Sequence, residues 1–280
     1  MGKIFKAAVL TALWALMPLP AGATDTTQTV YSFGIVPQQS ATRLARLWVP
    51  LLDYLSEKTG IPLRFATAPN IPAFEQRLAA GEYDLAYMNP YHYTVFHRSP
   101  GYVAFARAGE TQLRGLLVVR ADSPVASLAA LAGQRIAFPA PAAFAASVLP
   151  RAHLKNAGID FEPAYVESHD SVYRSVAKGL YSAGGGVERT LNSIDPEIRD
   201  QLRILWTTDG YTPHAFAANP NMPIGIVDRL QHAMATMHED EQGRRLLDAL
   251  RMKSIVPAHD SDWNDVRALG IQLLDELVRD

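Results

Sequence analysis

From residue 30 onward, short apolar runs alternate with amphipathic stretches, and the alternation restarts once along the chain. VYSFGIV (30–36), IPLRFAT (61–67) and YDLAYM (83–88) have the length and residue types of buried strands. Between them, 40–60 and 71–81 carry apolar residues at three- and four-residue steps, the spacing of a helix face. In the first helix these are Leu44, Leu47, Trp48, Leu51, Leu52 and Leu55. Pro50 removes one of its hydrogen bonds and predicts a kink, and Gly60 is a natural stop. Such alternation predicts an α/β fold, with mostly parallel sheets flanked by helices.

The second series places strands at 102–106, 113–120, 134–139, 162–167, 181–187 and 202–208. Helices are expected at 123–133, 143–158 and 169–179, and in the last third at 223–237, 240–251 and 262–279. This predicts two lobes, 29–112 completed by 213–280, and 117–208. The chain would cross between them near 113–118 and 208–213, forming a hinge. A ligand in such a fold sits beyond the carboxyl ends of strands, in the cleft between lobes.

The first 23 residues follow another plan. Lys3 and Lys6 precede the apolar run AAVLTALWALM, then Pro18, Pro20 and the small residues Ala21-Gly22-Ala23. That is the three-part pattern of a signal peptide over 1–23, and its apolar run is too short to span a bilayer. It predicts export to a periplasm; an N-terminal anchor or buried helix is the other reading. A formal net charge of −2 with scattered Lys and Arg argues against nucleic acid and against a polybasic membrane site. The absence of cysteine excludes disulfides, thiolate metal sites and a cysteine nucleophile.

Several segments, in this order, carry a resemblance: GIVPQQSATRLARLWVPLLDYLSEKTG, AAGEYDLAYMNPYHY, VVRADSPVASLAALAGQRIAF, PRAHLKNAGID and SHDSVYRSVAKG. From about residue 33 to 235 the chain resembles the phosphonate/phosphite/phosphate-type periplasmic binding proteins of ABC transporters, of the type II two-lobed fold. The resemblance implies a non-enzymatic, cofactor-free monomer. It would capture a small anion or polar metabolite and hand it to an ABC transporter permease; a membrane sensor kinase or cyclase is the alternative partner.

The family's ligand residues carry over unevenly. Its G-P-x-x-Y segment matches Asn89-Pro90-Tyr91-His92-Tyr93, which implies Tyr93 as a ligand contact, and its histidine matches His169. The Ser-Thr-Ser anion-binding triplet falls on Ala143, Phe144 and Ala145, and all three hydroxyls are missing. A family tyrosine falls on Ile71, and an acidic residue on Ser182. The resemblance therefore implies a retained cleft with a divergent ligand.

The residues themselves supply readings of these positions. AFPAPAAFAAS (137–147) reads as a strand-to-helix junction held extended by Pro139 and Pro141. The free N–H groups opening a helix near Ala142 or Ala143 suit an anion, with Phe144 as a wall and Ser147 adding a hydroxyl. Plain alanine packing is the competing reading. His169 is a ligand contact or merely a first-turn residue after a Ser168 or Asp170 cap. In AGGGVERT (183–190) the glycines permit positive φ or close backbone approach, and Arg189 either grips an anion or is solvated at a turn. Asn89 is a further cleft candidate, as are Gln38, Gln39 and Ser40 at the end of the first strand; Ser40 is otherwise an N-cap. His92 and His97, five apart, do not share a helix face, and no metal site is expected. A third class, an enzyme using His169, Asp170 and Ser147, lacks the G-x-S-x-G elbow and paired catalytic carboxylates.

Overall fold

A computed structural model describes residues 1–2 and 29–278; the signal peptide read over 1–23 otherwise lies outside the described residues. The chain starts in one lobe with β1 (Tyr31–Ile35), α1 (Ala41–Thr59), β2 (Leu63–Ala66), α2 (Ile71–Ala79), β3 (Leu85–Met88), α3 (Pro90–Phe96) and β4 (Val103–Ala108). Each helix has a chemical start. Ser40 accepts from the Arg43 amide, Asn70 from Ala73, and Asn89 from His92. The α1 helix runs on through Pro50 and ends at Gly60, whose φ of 68° is the left-handed stop that glycine adopts without strain.

The second lobe holds β5 (Gly115–Arg120), β6 (Arg135–Phe138), α4 (Leu149–Asn156), β7 (Glu162–Tyr165), α5 (His169–Ala177), β8 (Ala183–Val187), α6 (Glu188–Ser193), α7 (Pro196–Arg199) and β9 (Leu202–Thr207). The chain then returns to the first lobe with β10 (Ala215–Ala218), α8 (Ile224–Ala235), α9 (Glu241–Ala249), β11 (Ile255–Pro257) and α10 (Asn264–Arg267).

The sheet orders are β11-β4-β10-β3-β1-β2 and β7-β6-β8-β5-β9. In the first, β1 to β4 run one way while β10 and β11 run the other. In the second, β5 alone is reversed. The reversed strands β10 and β5 are the first strands after each crossing, and each is built into the interior of its new sheet. The two crossings, 109–114 and 208–214, are tied to each other. Leu113 and Tyr211 exchange both backbone hydrogen bonds, at 2.7 and 3.0 Å.

Three regions differ from the expected elements. The stretch 123–133 forms only a 3-10 turn at Leu128–Leu131, with no side-chain cap on Ser127. The stretch 262–279 is broken into short turns around α10, because Gly270 takes φ 61° and Trp263 is drawn into the core, its indole N–H donating to Pro213 O at 2.9 Å. Strands β10 and β11 were hidden in runs too short to show a period.

Residues 143–158 do not begin as an ordinary α-helix either. Phe144–Val148 is a single π-helical turn that leads into α4. Its carbonyls press on the sheet below. A Cβ on Gly115 would lie 1.8 Å from Ala145 O, and one on Gly185 would lie 1.9 Å from Ala146 O. The three consecutive glycines of β8 all have negative or extended φ, so close approach rather than left-handed backbone explains them. Gly186 likewise leaves room for the Tyr173 hydroxyl, 2.1 Å from where a Cβ would stand.

Candidate functional site

The carboxyl end of β1 delivers Gln38 and Gln39 to the contact between lobes; both are buried. The carboxyl end of β3 delivers Tyr87 and, one residue beyond the strand, Asn89. From the second lobe, the end of β8 delivers Arg189, and α5 delivers His169 at its first residue. His214 comes from the second crossing, just ahead of β10.

A short network joins these groups. Arg189 donates from Nη1 to the Tyr87 hydroxyl at 3.0 Å and from Nη2 to Gln38 Oε1 at 2.7 Å. Its guanidinium carbon lies 5.5 Å from the centre of the Tyr87 ring, within cation–π range. The Gln38 amide nitrogen lies 3.1 Å from His214 Nε2, and the His214 ring stacks on Tyr87 at 5.0 Å. With Gln38 Oε1 occupied by Arg189, the Gln38 amide donates and His214 Nε2 accepts. This arrangement requires a neutral imidazole.

Burial and charge agree with that tautomer. Burial first, then Arg189, depresses the His214 imidazole well below its usual range. The same two causes pull His169 down to about 3. Both histidines are therefore neutral hydrogen-bonding groups at neutral pH, and the positive charge of the site resides on arginine. Among the described residues no carboxylate lies within ion-pair distance of Arg189. A half-buried guanidinium held only by neutral partners is poised to accept an anion.

The space between the lobes has an inner and an outer part. The inner part is about 10 Å³, lined by Ile71, Asn89, His169 and the turn Ala143–Ala146 among others, and is about the size of one water. The outer part is about 390 Å³, within the range of small-molecule sites, and is lined by Tyr87, Arg114, Arg189, Arg199, His214 and Arg251 among others. Both parts are bordered by Leu113, Val187 and His214.

The structure thus brings together Asn89, Ala143, Phe144, Ala145, His169, Gln39 and Arg189 at the lobe contact. Asn89 donates across it to Ala142 O at 3.3 Å, His169 N to Gln38 O at 3.0 Å, and Gln39 to Ser193 Oγ at 2.8 Å. Three expected residues are elsewhere. Tyr93 is turned into the first lobe's core, where its hydroxyl donates to Asp260 at 2.8 Å and its ring packs 4.5 Å from Trp263. Tyr87 is the tyrosine that meets Arg189. Ser40 is exposed and serves as the α1 cap. Ser147 is buried within the π-helical turn itself, and its hydroxyl has no hydrogen-bond partner.

His169 Nδ1 faces Thr190 Oγ1 at 3.2 Å, and the Ser147 hydroxyl has no hydrogen-bond partner, so the two do not form a nucleophile–base pair. His92 faces Glu75 at 2.9 Å in the core of the first lobe. Tyr87, His214 and Arg251 were not expected from the sequence. For Tyr87 the available signal was its place at the carboxyl end of a strand. His214 and Arg251 lie in a crossing and a helix end, which carry no periodic signal.

Two sheets joined by paired crossings, with a polar network and a cavity between them, define a two-lobed solute-binding protein. A model of the family described as ABC transporter, phosphonate, periplasmic substrate-binding protein matches residues 33–263, and the chain belongs to that family. It is 24% identical to the phosphate-import protein PhnD of Mycolicibacterium smegmatis, over 94% of each chain. Its fold is similar to that of PhnD1 from Prochlorococcus marinus in complex with methylphosphonate, with a TM-score of 0.78 at 16% identity, covering 86% of this chain and 97% of the other. A binding-protein component of an ABC phosphonate transporter from Pseudomonas aeruginosa gives a TM-score of 0.80 at 18% identity, covering 87% and 86%. The chain is thus a periplasmic substrate-binding protein of the ABC-transporter type.

Proposed function

We propose that this protein captures a small phosphorus oxyanion or a related anion between its lobes, with Arg189 as the charge contact, and presents it to a transporter permease. The observation that carries the reading is the Arg189 guanidinium, held at the lobe contact by Tyr87 and Gln38 without a carboxylate. In this reading Arg189 takes over the charge recognition that the missing hydroxyls at 143–145 would otherwise supply. Because Arg189 belongs to one lobe and Tyr87 and Gln38 to the other, an anion bound there strengthens closure about the paired crossings. The closed pair of lobes is then the surface a permease reads.

The protein works as a monomer, is exported by its cleavable leader, and leaves its ligand unchanged. The family membership favours a permease over a membrane sensor as partner. Isothermal titration against methylphosphonate, phosphite, phosphate and small oxyanions tests the ligand class, and ligand recovered afterwards should be chemically intact. Absence of heat with every one of them would refute the anion reading.

A further inference from the structure

The outer cavity carries more charge than a single phosphonate group needs. Four guanidiniums line it, those of Arg114, Arg189, Arg199 and Arg251, against the single carboxylate of Glu188. Two of the four are already engaged. Arg199 is paired with Asp200, and Arg114 donates to Thr208 O at 3.1 Å and Gln112 Oε1 at 3.0 Å, which fastens it across the two crossings. Arg189 and Arg251 remain without a carboxylate among the described residues, and they come from opposite lobes.

Arg251 occupies an unusual backbone position. It follows α9, with its amide donating to Asp248 O at 3.0 Å while the Met252 amide donates to Leu247 O at 2.9 Å. These two bonds close the helix in the turn whose pivot residue is most often glycine. Arg251 holds that pivot at φ 57°, a conformation that side chains other than glycine, asparagine and aspartate seldom take. An arginine at a glycine position, exposed into a cavity opposite a second unpaired arginine, points to use of its guanidinium.

Resting on the assignment of Arg189 as the anion contact, we infer that the ligand carries two separated anionic groups, one held by Arg189 and the other by Arg251, so that it ties the lobes together from both sides. The class is an organic phosphonate or phosphate with a second acidic group, rather than a simple alkylphosphonate. Tyr87, Leu113 and Met252 line the cavity as apolar surface for the carbon segment between the charges.

The test is isothermal titration of the full mature chain with pairs matched in carbon count, at two lengths: phosphonoacetate against ethylphosphonate, and phosphonobutyrate against butylphosphonate. In at least one pair the phosphonocarboxylate should bind about tenfold tighter or more, the effect of one added charge-assisted contact. The Arg251→Gly variant, which suits the positive φ and should melt no lower than the parent, should lose that advantage while keeping its affinity for the alkylphosphonate. Arg251→Gln should behave likewise, which excludes a backbone effect of the glycine. If both pairs bind within about threefold of each other, or if the advantage survives in both variants, the inference fails while the Arg189 reading stands. If none of the four probes binds, the inference fails, and titration with phosphate and methylphosphonate decides the Arg189 reading separately.

Discussion

The guanidinium of Arg189, in one lobe, lies over the ring of Tyr87, in the other, and donates to its hydroxyl at 3.0 Å. This contact separates two tyrosines that the sequence pattern confuses. Tyr87→Phe removes an oxygen that positions the anion-binding arginine and should weaken anion binding by several-fold, with little change in melting temperature. Tyr93→Phe removes the bond to Asp260 at the edge of the first lobe's core. It should lower stability by about 1 kcal/mol and leave affinity unchanged. Titration and thermal melting of both variants check this; a binding defect in Tyr93→Phe alone would return that residue to the site.

Acid should loosen the molecule before its carboxylates titrate. His169 has a pKa of about 3 in the folded chain against an unfolded value near 6.5, and His214 is depressed as well. Above the unfolded value both histidines are neutral in either state and the full stability is present. As pH falls below it, the unfolded chain takes up protons that the folded chain refuses. Each histidine then removes about 1.4 kcal/mol per pH unit. Urea midpoints should therefore fall between about pH 6.5 and pH 5, and His169→Asn should flatten the slope by about one proton. An unchanged slope in that variant would contradict the assignment.

The glycines of β8 are predicted to act through packing. Gly185→Ala places a Cβ 1.9 Å from Ala146 O and should cost about 1–3 kcal/mol or more as the π-helical turn is forced off the sheet. Gly225→Ala in α8 meets nothing within 4 Å and should be neutral or slightly stabilising. Chemical denaturation of the pair checks the difference.

Much of the scaffold was legible because strand and helix periods differ, and because a cap such as Ser40 and a stop such as Gly60 mark the ends of a helix locally. The site was legible only in part. In AFPAPAAFAAS the strand-to-helix junction could be read, although it opens with a π-helical turn rather than an ordinary α-helix. The close approach of its carbonyls to Gly115 and Gly185 on the sheet beneath could not be read, since those glycines lie far away in the sequence. Arg189 stood out as a cation after a strand, but its partners Tyr87 and Gln38 are 102 and 151 residues away, and no local pattern records such a pairing. Tyr93 was misplaced for a related reason: a motif gives a residue's position in the chain, whereas the face of α3 it occupies is decided by Asp260 and Trp263.

The central claim is that Arg189 supplies the charge of an anion site between the lobes. Its most direct test is isothermal titration of methylphosphonate and of phosphate into the parent protein and into Arg189→Gln at neutral pH. The parent should bind at least one of the two anions, and the variant should bind it about 10- to 100-fold more weakly, the loss of a charge-assisted contact. Affinities within about twofold of each other would show that the anion is held elsewhere.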